Sequence, residues 1–314
     1  MKKTIELIVP CYNEEECIGI FYNRIGEVFA QIREYEYIIT YIDDGSKDNT
    51  IDEIKKIVAK ASGKVRYISF SRNFGKEAAM YAGFLESVGD YVACLDVDLQ
   101  HPPELLKEMI IAIEEGYDCA SAKRVNRAGE PPIRSFFSNL FYKIINHVTA
   151  VELVPGSTDY RLMKREVVDA IISMPEYERF TKGIYAWVGF KNKWIEYENV
   201  ERVAGETTWN FGGLLRYAYS GFVAFATTPL RSVVWLGVLI VLISICYAIY
   251  VFIGALNSPI EGRNGFSTLL LVMLFLGGVI ISILGMIGEY LARIYMEVKR
   301  RPLFFIRESN IDKD

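Results

Sequence analysis

From Thr4 to Lys123 the chain alternates between short apolar runs and longer stretches of helical periodicity. The apolar runs are Ile5–Val9, Tyr37–Ile42, Val65–Phe70, Tyr91–Leu95 and Tyr117–Ala122, and the stretches between them are a dozen or more residues long. Short continuous apolar runs bounded by turn formers read as strands buried on both faces. Their alternation with helical segments predicts βαβ units, and so an α/β fold with a doubly wound, mostly parallel sheet. In such sheets ligands gather beyond the carboxyl ends of the strands. Polar clusters fall at those ends: Tyr12-Asn13-Glu14-Glu15, Asp43-Asp44-Gly45-Ser46, Ser71-Arg72-Asn73, and a pair of aspartates after the fourth run. Four polar strand ends in succession predict one site.

The pattern changes toward the C-terminus. Val233–Leu256 and Phe266–Ile287 are uncharged apolar runs, each longer than the roughly 20 residues that cross a hydrocarbon core. Two transmembrane helices are expected, joined by the short, turn-rich Asn257–Gly265. Arg231 precedes the first run, and Arg293, Lys299, Arg300, Arg301 and Arg307 follow the second. The positive-inside bias then puts both termini and the large N-terminal domain in the cytoplasm of a multi-pass cell-membrane protein. Arg134–Val148 carries Phe137, Leu140, Phe141, Ile144, Ile145 and Val148 on one helical face. That face suits either a membrane interface or an ordinary core. The expected organisation is a catalytic domain over 1–208 that includes an interfacial helix at about 134–148. A juxtamembrane amphipathic helix (209–230), a transmembrane hairpin (231–292) and a cytoplasmic basic tail (293–314) follow it.

Composition agrees with this division. The 314 residues are 51% hydrophobic with a net charge of −4, which suits one globular domain with added apolar mass and no nucleic-acid partner. Five cysteines (Cys11, Cys17, Cys94, Cys119, Cys246) lack metal or framework spacing, so a reducing compartment fits. Gly277, Gly278, Gly285 and Gly288 in the second apolar run offer close-approach surfaces for a homo-oligomer.

The candidate chemistry centres on Asp96, Asp98 and Gln100. They end the fourth apolar run, and strand alternation turns Asp96 and Asp98 to one side at the sheet's carboxyl edge, with Gln100 next in that series. Oxygen donors so arranged suit Mg²⁺ or Mn²⁺ shared with substrate phosphates. The first strand leads into PCYNEEE and not into a glycine-rich cradle, so a bound diphosphate needs a cation and arginines. The plain alternative is that these carboxylates cap the helix opened by Pro102, Pro103 and Glu104.

With VPCYNEEE, YIDDGSKDNT, SFSRNFGKEAAM, DVDLQHPPE, STDYRLM, the Arg202–Trp209 segment and the paired C-terminal apolar runs in this order, the chain resembles the inverting family-two glycosyltransferases of GT-A fold. Within them it is similar to the polyprenyl-phosphate type, the dolichol-phosphate mannose synthases and bactoprenol glucosyltransferases. The resemblance implies a nucleotide pocket lined by Pro10, Tyr12, Glu14 and Asp43. It implies a metal and diphosphate held by Asp96, Asp98 and Gln100, with Asp96 also near the ribose, and Arg202 over the donor phosphates. It further implies an acceptor-phosphate pocket at Arg124, Arg134 and Ser138, and Asp159 as candidate base. Two departures stand out. No lysine follows Gly205 in the Arg202 segment, and His101 stands where many relatives have aspartate, as an extra polar ligand or, the favoured reading, a helix cap.

The implied reaction is inverting transfer of a sugar from a nucleotide-diphosphate donor, with UDP-glucose as lead, to undecaprenyl or another polyprenyl phosphate. UDP-N-acetylglucosamine and GDP-mannose are the alternative donors. A phosphate acceptor is largely dianionic at neutral pH and needs little deprotonation, so Asp159 is read as a positioning group or weak base. Absence of a Q-x-x-R-W segment speaks against a processive polymer synthase. A membrane-anchored, inactive nucleotide-sugar-binding scaffold is the reading from another class, and the intact Asp96, Asp98, Gln100, Asp159 and Arg202 speak against it.

Overall fold

A computed structural model describes residues 2–61, 63–125, 143, 146, 151–198, 228–257 and 265–311. The chain divides into two units, one holding the N-terminal domain and residues 301–314, the other holding the two long C-terminal helices.

In the first unit the predicted alternation is present. The order is β1 (Lys3–Cys11), α1 (Glu15–Phe29), β2 (Tyr35–Asp43), α2 (Thr50–Val58), β3 (Val65–Phe70), α3 (Lys76–Leu85), β4 (Tyr91–Cys94), α4 (Leu106–Glu114) and β5 (Cys119–Arg124). There follow β6 (Ser157–Lys164), α5 (Arg165–Ile172), α6 (Thr181–Trp187) and β7 (Asn192–Tyr197). Alternate β1 residues serve two layers. Ile5, Leu7 and Val9 join Phe21 and Ile25 of α1 and Met109 of α4 in one buried cluster. Ile8 lies on the α3 side, where Gly83 approaches so closely that a Cβ would sit 2.1 Å from its Cγ2. Burial on both faces is why these strands read as unbroken apolar runs.

The sheet order is β7-β5-β6-β4-β1-β2-β3-β8. The four central strands β4, β1, β2 and β3 are parallel, as predicted. The flanks are not: β6 runs antiparallel between β4 and β5, and β8 (Ile306–Ser309) runs antiparallel on β3, so the sheet is mixed. The helical crossovers α1, α2 and α3 return the chain to the same end of the sheet, which makes β1, β2, β3 and β4 parallel.

Residues 293–314, expected as a basic tail, contain the last strand of the sheet. Asn310 accepts from the Tyr67 N–H (2.7 Å) and donates to the Val65 carbonyl (3.2 Å), and Ser71 N–H donates to the Phe305 carbonyl (2.9 Å). Phe304 stacks on Phe70 with ring centroids 4.9 Å apart, and Glu308 pairs with Lys55 at 2.8 Å. The tail thus covers an edge that would otherwise present unpaired backbone.

The second unit consists of α7 (Thr228–Asn257) and α8 (Phe266–Val298), which contain the two expected apolar runs. Among the described residues one segment, Val272–Val298, is long and apolar enough to cross a membrane. Leu274, Ile281 and Leu284 are each at least 60% exposed there, a surface suited to hydrocarbon. Glu289 and Arg293 form the expected i,i+4 pair at 3.6 Å. The helix expected at 134–148 lies outside the described residues, apart from Lys143 and Asn146, as does nearly all of the one at 209–230.

Candidate active site

The DDGS turn after β2 ties three strand ends together. Asp43, 2% exposed, accepts from Ser46 N–H (3.0 Å) and from the Ser69 hydroxyl at the end of β3 (2.7 Å). Asp44 accepts from Phe74 N–H (2.6 Å) and Gly75 N–H (2.9 Å), the two residues before α3. Burial pushes the Asp44 carboxyl up to about 6, against the pull of those N–H groups. Gly45 has φ +67°, and a Cβ on it would lie 2.4 Å from the backbone carbon of Arg72, so only glycine fits. Ser46 accepts from Asn13 N–H (2.9 Å), which holds the segment after β1 beside the turn. Pro10, Tyr12 and Glu14 stand at this end of β1, and Glu14 N–H donates to the Thr50 hydroxyl (2.8 Å).

At the fourth strand end the backbone departs from the expected alternation. β4 stops at Cys94, and the D-x-D residues lie in a turn, with Leu99 at φ +58° and Gln100 N–H donating to Asp98 Oδ1 at 3.1 Å. That carboxylate-to-backbone bond is an Asx turn, which competes with strand continuation. Asp98 is 5% exposed and Asp96 is half-buried.

Sequence reasoning missed the residue that joins this turn to the candidate base. Lys76, first residue of α3, places Nζ 2.6 Å from Asp96 Oδ1 and 3.2 Å from Asp159 Oδ2 on β6. A lysine at a helix N-terminus opposes the macrodipole, and that local mismatch is the sequence signal that marks it. Burial disfavours charge on all three groups, but the pairing prevails: Lys76 is raised, Asp96 is lowered, and Lys76, Lys182 and Arg161 together hold Asp159 at about 2. Asp159 is therefore a fixed carboxylate with little affinity for a proton at neutral pH.

His101 does not cap the following helical turn, where no side-chain cap is made. Its Nδ1 is 3.7 Å from Asp96 Oδ2, and its ring stands 6.0 Å from that of Tyr160 and 5.8 Å from that of Tyr197. Burial lowers its pKa, which keeps it neutral beside Asp96. Arg124 closes β5, registered opposite Tyr197, with its N–H bonded to the Gly156 carbonyl (2.9 Å). Arg134, Ser138 and Arg202 lie outside the described residues.

The donor set bears on the expected divalent cation. Among the described residues no three His, Cys, Asp or Glu side chains cluster as metal ligands. Asp96 and Asp98 are two carboxylates at one turn, and a cationic ammonium already sits on Asp96. That set fits an ion held by one or two carboxylates and completed by substrate phosphates and water, and not a protein-only cage.

Comparison with known proteins agrees with this architecture. Residues 6–172 match the model for glycosyl transferase family 2, and residues 228–294 match that for the GtrB C-terminal hairpin. The chain is 45% identical over 307 residues to "Putative glycosyltransferase CsbB" of Bacillus subtilis (strain 168), covering 98% of this chain and 92% of that one. It is 40% identical over 308 residues to the "SfII prophage-derived bactoprenol glucosyl transferase" of Shigella flexneri, covering 98% of each. The D-x-D turn, the DDGS knot and the two-helix C-terminal unit thus occur in a chain that belongs to glycosyl transferase family 2, in its polyprenyl-phosphate branch.

Proposed function

We propose that this glycosyltransferase moves a sugar, glucose from UDP-glucose in the leading version, onto the phosphate of undecaprenyl or another polyprenyl phosphate at the cytoplasmic face of the cell membrane. The product is a polyprenyl-monophosphate sugar for envelope glycosylation. The observation that carries this reading is the Asp96–Lys76–Asp159 cluster at the carboxyl edge of the sheet. Relatives named bactoprenol glucosyl transferase, aligned over nearly the whole chain, support the lipid acceptor and the glucose.

In this reading Pro10, Tyr12, Glu14 and Asp43 line the nucleotide pocket, and Arg202 covers the donor phosphates. Asp96 and Asp98, with Gln100 beside them, hold Mg²⁺ or Mn²⁺, which when bound supplies positive charge against the departing diphosphate. Lys76 offsets one of the two negative charges of Asp96 and Asp159, so the site is less negative when two phosphate-bearing substrates arrive. Asp159 orients and does not deprotonate, because a phosphate monoester is already largely dianionic at neutral pH. One displacement at the anomeric carbon inverts its configuration. Arg124, Arg134 and Ser138 meet the acceptor phosphate. Both α7 and α8 cross the membrane with the catalytic unit and both termini in the cytoplasm, and the glycines of α8 favour a homo-oligomer.

The test is nucleotide diphosphate release from UDP-glucose, UDP-N-acetylglucosamine and GDP-mannose, with and without undecaprenyl phosphate and with and without EDTA. Release from one donor that requires both lipid and metal is expected. Equal release without lipid would remove the acceptor assignment.

A further inference from the structure

The cation that sits on the D-x-D turn is a side chain. Lys76 Nζ lies 2.6 Å from Asp96 Oδ1, and among the described residues it is the one lysine or arginine paired with Asp96. The other oxygen, Oδ2, faces His101 at 3.7 Å, where Nδ1 is buried without a hydrogen-bond partner among the described residues. Asp96 therefore takes its compensating charge from Lys76.

Asp159 is placed differently. Lys76 Nζ is 3.2 Å from its Oδ2, and Lys182 and Arg161 act on the same carboxylate. The ammonium thus has a second carboxylate within reach, and Asp159 has further cations when Lys76 turns away. The backbone under Lys76 is fixed, because Phe74 N–H and Gly75 N–H donate to Asp44 just before it. Its four-carbon stem is not fixed in that way and can change partners. Lys76, Asp96 and Asp159 are all half-buried, so the cluster is open to an incoming ion.

An ammonium and a divalent ion on one carboxylate repel each other as like charges. We infer that Lys76 makes cation binding depend on the donor: it holds Asp96 while the nucleotide is absent and releases it when the diphosphate brings the ion's other ligands. The apparent affinity for the ion alone is then reduced by the fraction of molecules in which Asp96 is free of the ammonium. Cation and diphosphate bind cooperatively, each strengthening the other by the same factor. Lys76 is in this respect a positioning residue that changes its pairing toward Asp159. The inference rests on the metal assignment above and adds the order in which the site fills.

The test follows free Mn²⁺ by electron paramagnetic resonance over full-length protein in detergent, with and without UDP, after correction for Mn²⁺ held by UDP alone. Wild type, Lys76→Met, Lys76→Gln, Lys76→Arg and the double variant Lys76→Met with Asp96→Asn are compared, with circular dichroism on each sample. Without UDP, Lys76→Met and Lys76→Gln should bind Mn²⁺ at least about tenfold more tightly than wild type, and Lys76→Arg within about threefold of it. UDP should tighten Mn²⁺ binding by wild type about tenfold or more, and that factor should shrink in Lys76→Met. The double variant should lose the gain, which places the ion at Asp96.

Equal Mn²⁺ affinity in wild type and the two neutral variants, with UDP-dependent Mn²⁺ binding by wild type, overturns the competition and leaves the metal assignment in place. Tighter binding that survives Asp96→Asn overturns the competition too, since the ion is then held elsewhere. Failure of every protein to bind Mn²⁺ even with UDP overturns both.

Discussion

Lys76 and Asp159 are brought within 3.2 Å of each other from the start of α3 and the middle of β6, and the same ammonium lies 2.6 Å from Asp96. One cation thereby ties the D-x-D turn to the candidate base. Its removal should act on both. Lys76→Met is expected to lower kcat by about a hundredfold or more, the scale of a lost preorganised charge, while Lys76→Arg restores part of it. Equal kcat in Lys76→Met and wild type would show the cation to be structural only.

The same contact sets a pH dependence. The Asp159 pKa is depressed to about 2, so its carboxylate and the stability it contributes are fully present above about pH 4 and are lost as pH falls toward 2. Wild-type kcat/KM should show no acid limb from this group between pH 5 and 8. In Lys76→Met, burial acts with less opposition and the pKa rises, so an acid limb should move to higher pH. A profile that does not shift would dissociate Lys76 from the ionisation of Asp159.

Asp98→Ala should abolish transfer with the fold retained, and Asp159→Asn should lose most activity with a remainder, because the acceptor needs little deprotonation. Transfer rates with circular dichroism on the same samples check both. Near-normal turnover by Asp98→Ala would remove it from the site.

The central strands and their polar ends are legible in the sequence because burial on both faces leaves unbroken apolar runs: Val65–Phe70 coincides with β3, and the other four differ from the observed strands only at their ends. β6 and β8 are less legible. Ser157–Lys164 mixes Asp159 and Arg161 with Tyr160 and Leu162 because its two faces meet different surroundings. Ile306–Ser309 is a short edge strand whose pairing with β3 depends on residues far away in sequence. The D-x-D aspartates are visible as chemistry but not as geometry, since an Asx turn at Asp98 replaces the strand. Lys76 and Arg161 show their roles only once β6 is known to lie beside β4.

Gly45→Ala should destabilise the first unit by about 2–4 kcal/mol, since it combines a left-handed φ with a Cβ driven into the Arg72 backbone. A melt within a degree or two of wild type would contradict the packing of the DDGS turn.

Phe304→Ala removes the ring stacked on Phe70 and should cost about 1–3 kcal/mol, seen as a lowered Tm of the full-length protein. Amides of Tyr67 and Ser71 should exchange faster with solvent, because Asn310 and Phe305, which flank β8, accept from them. Unaltered exchange there would mean that β8 does not depend on this contact.

The most direct measurement is mass spectrometry of the lipid recovered after the purified full-length protein is incubated with UDP-glucose, undecaprenyl phosphate and Mg²⁺ or Mn²⁺. The account predicts a lipid heavier by one hexose that retains a single phosphate, with UDP released in equal amount. Unmodified lipid, with UDP-N-acetylglucosamine and GDP-mannose equally unproductive, would contradict it.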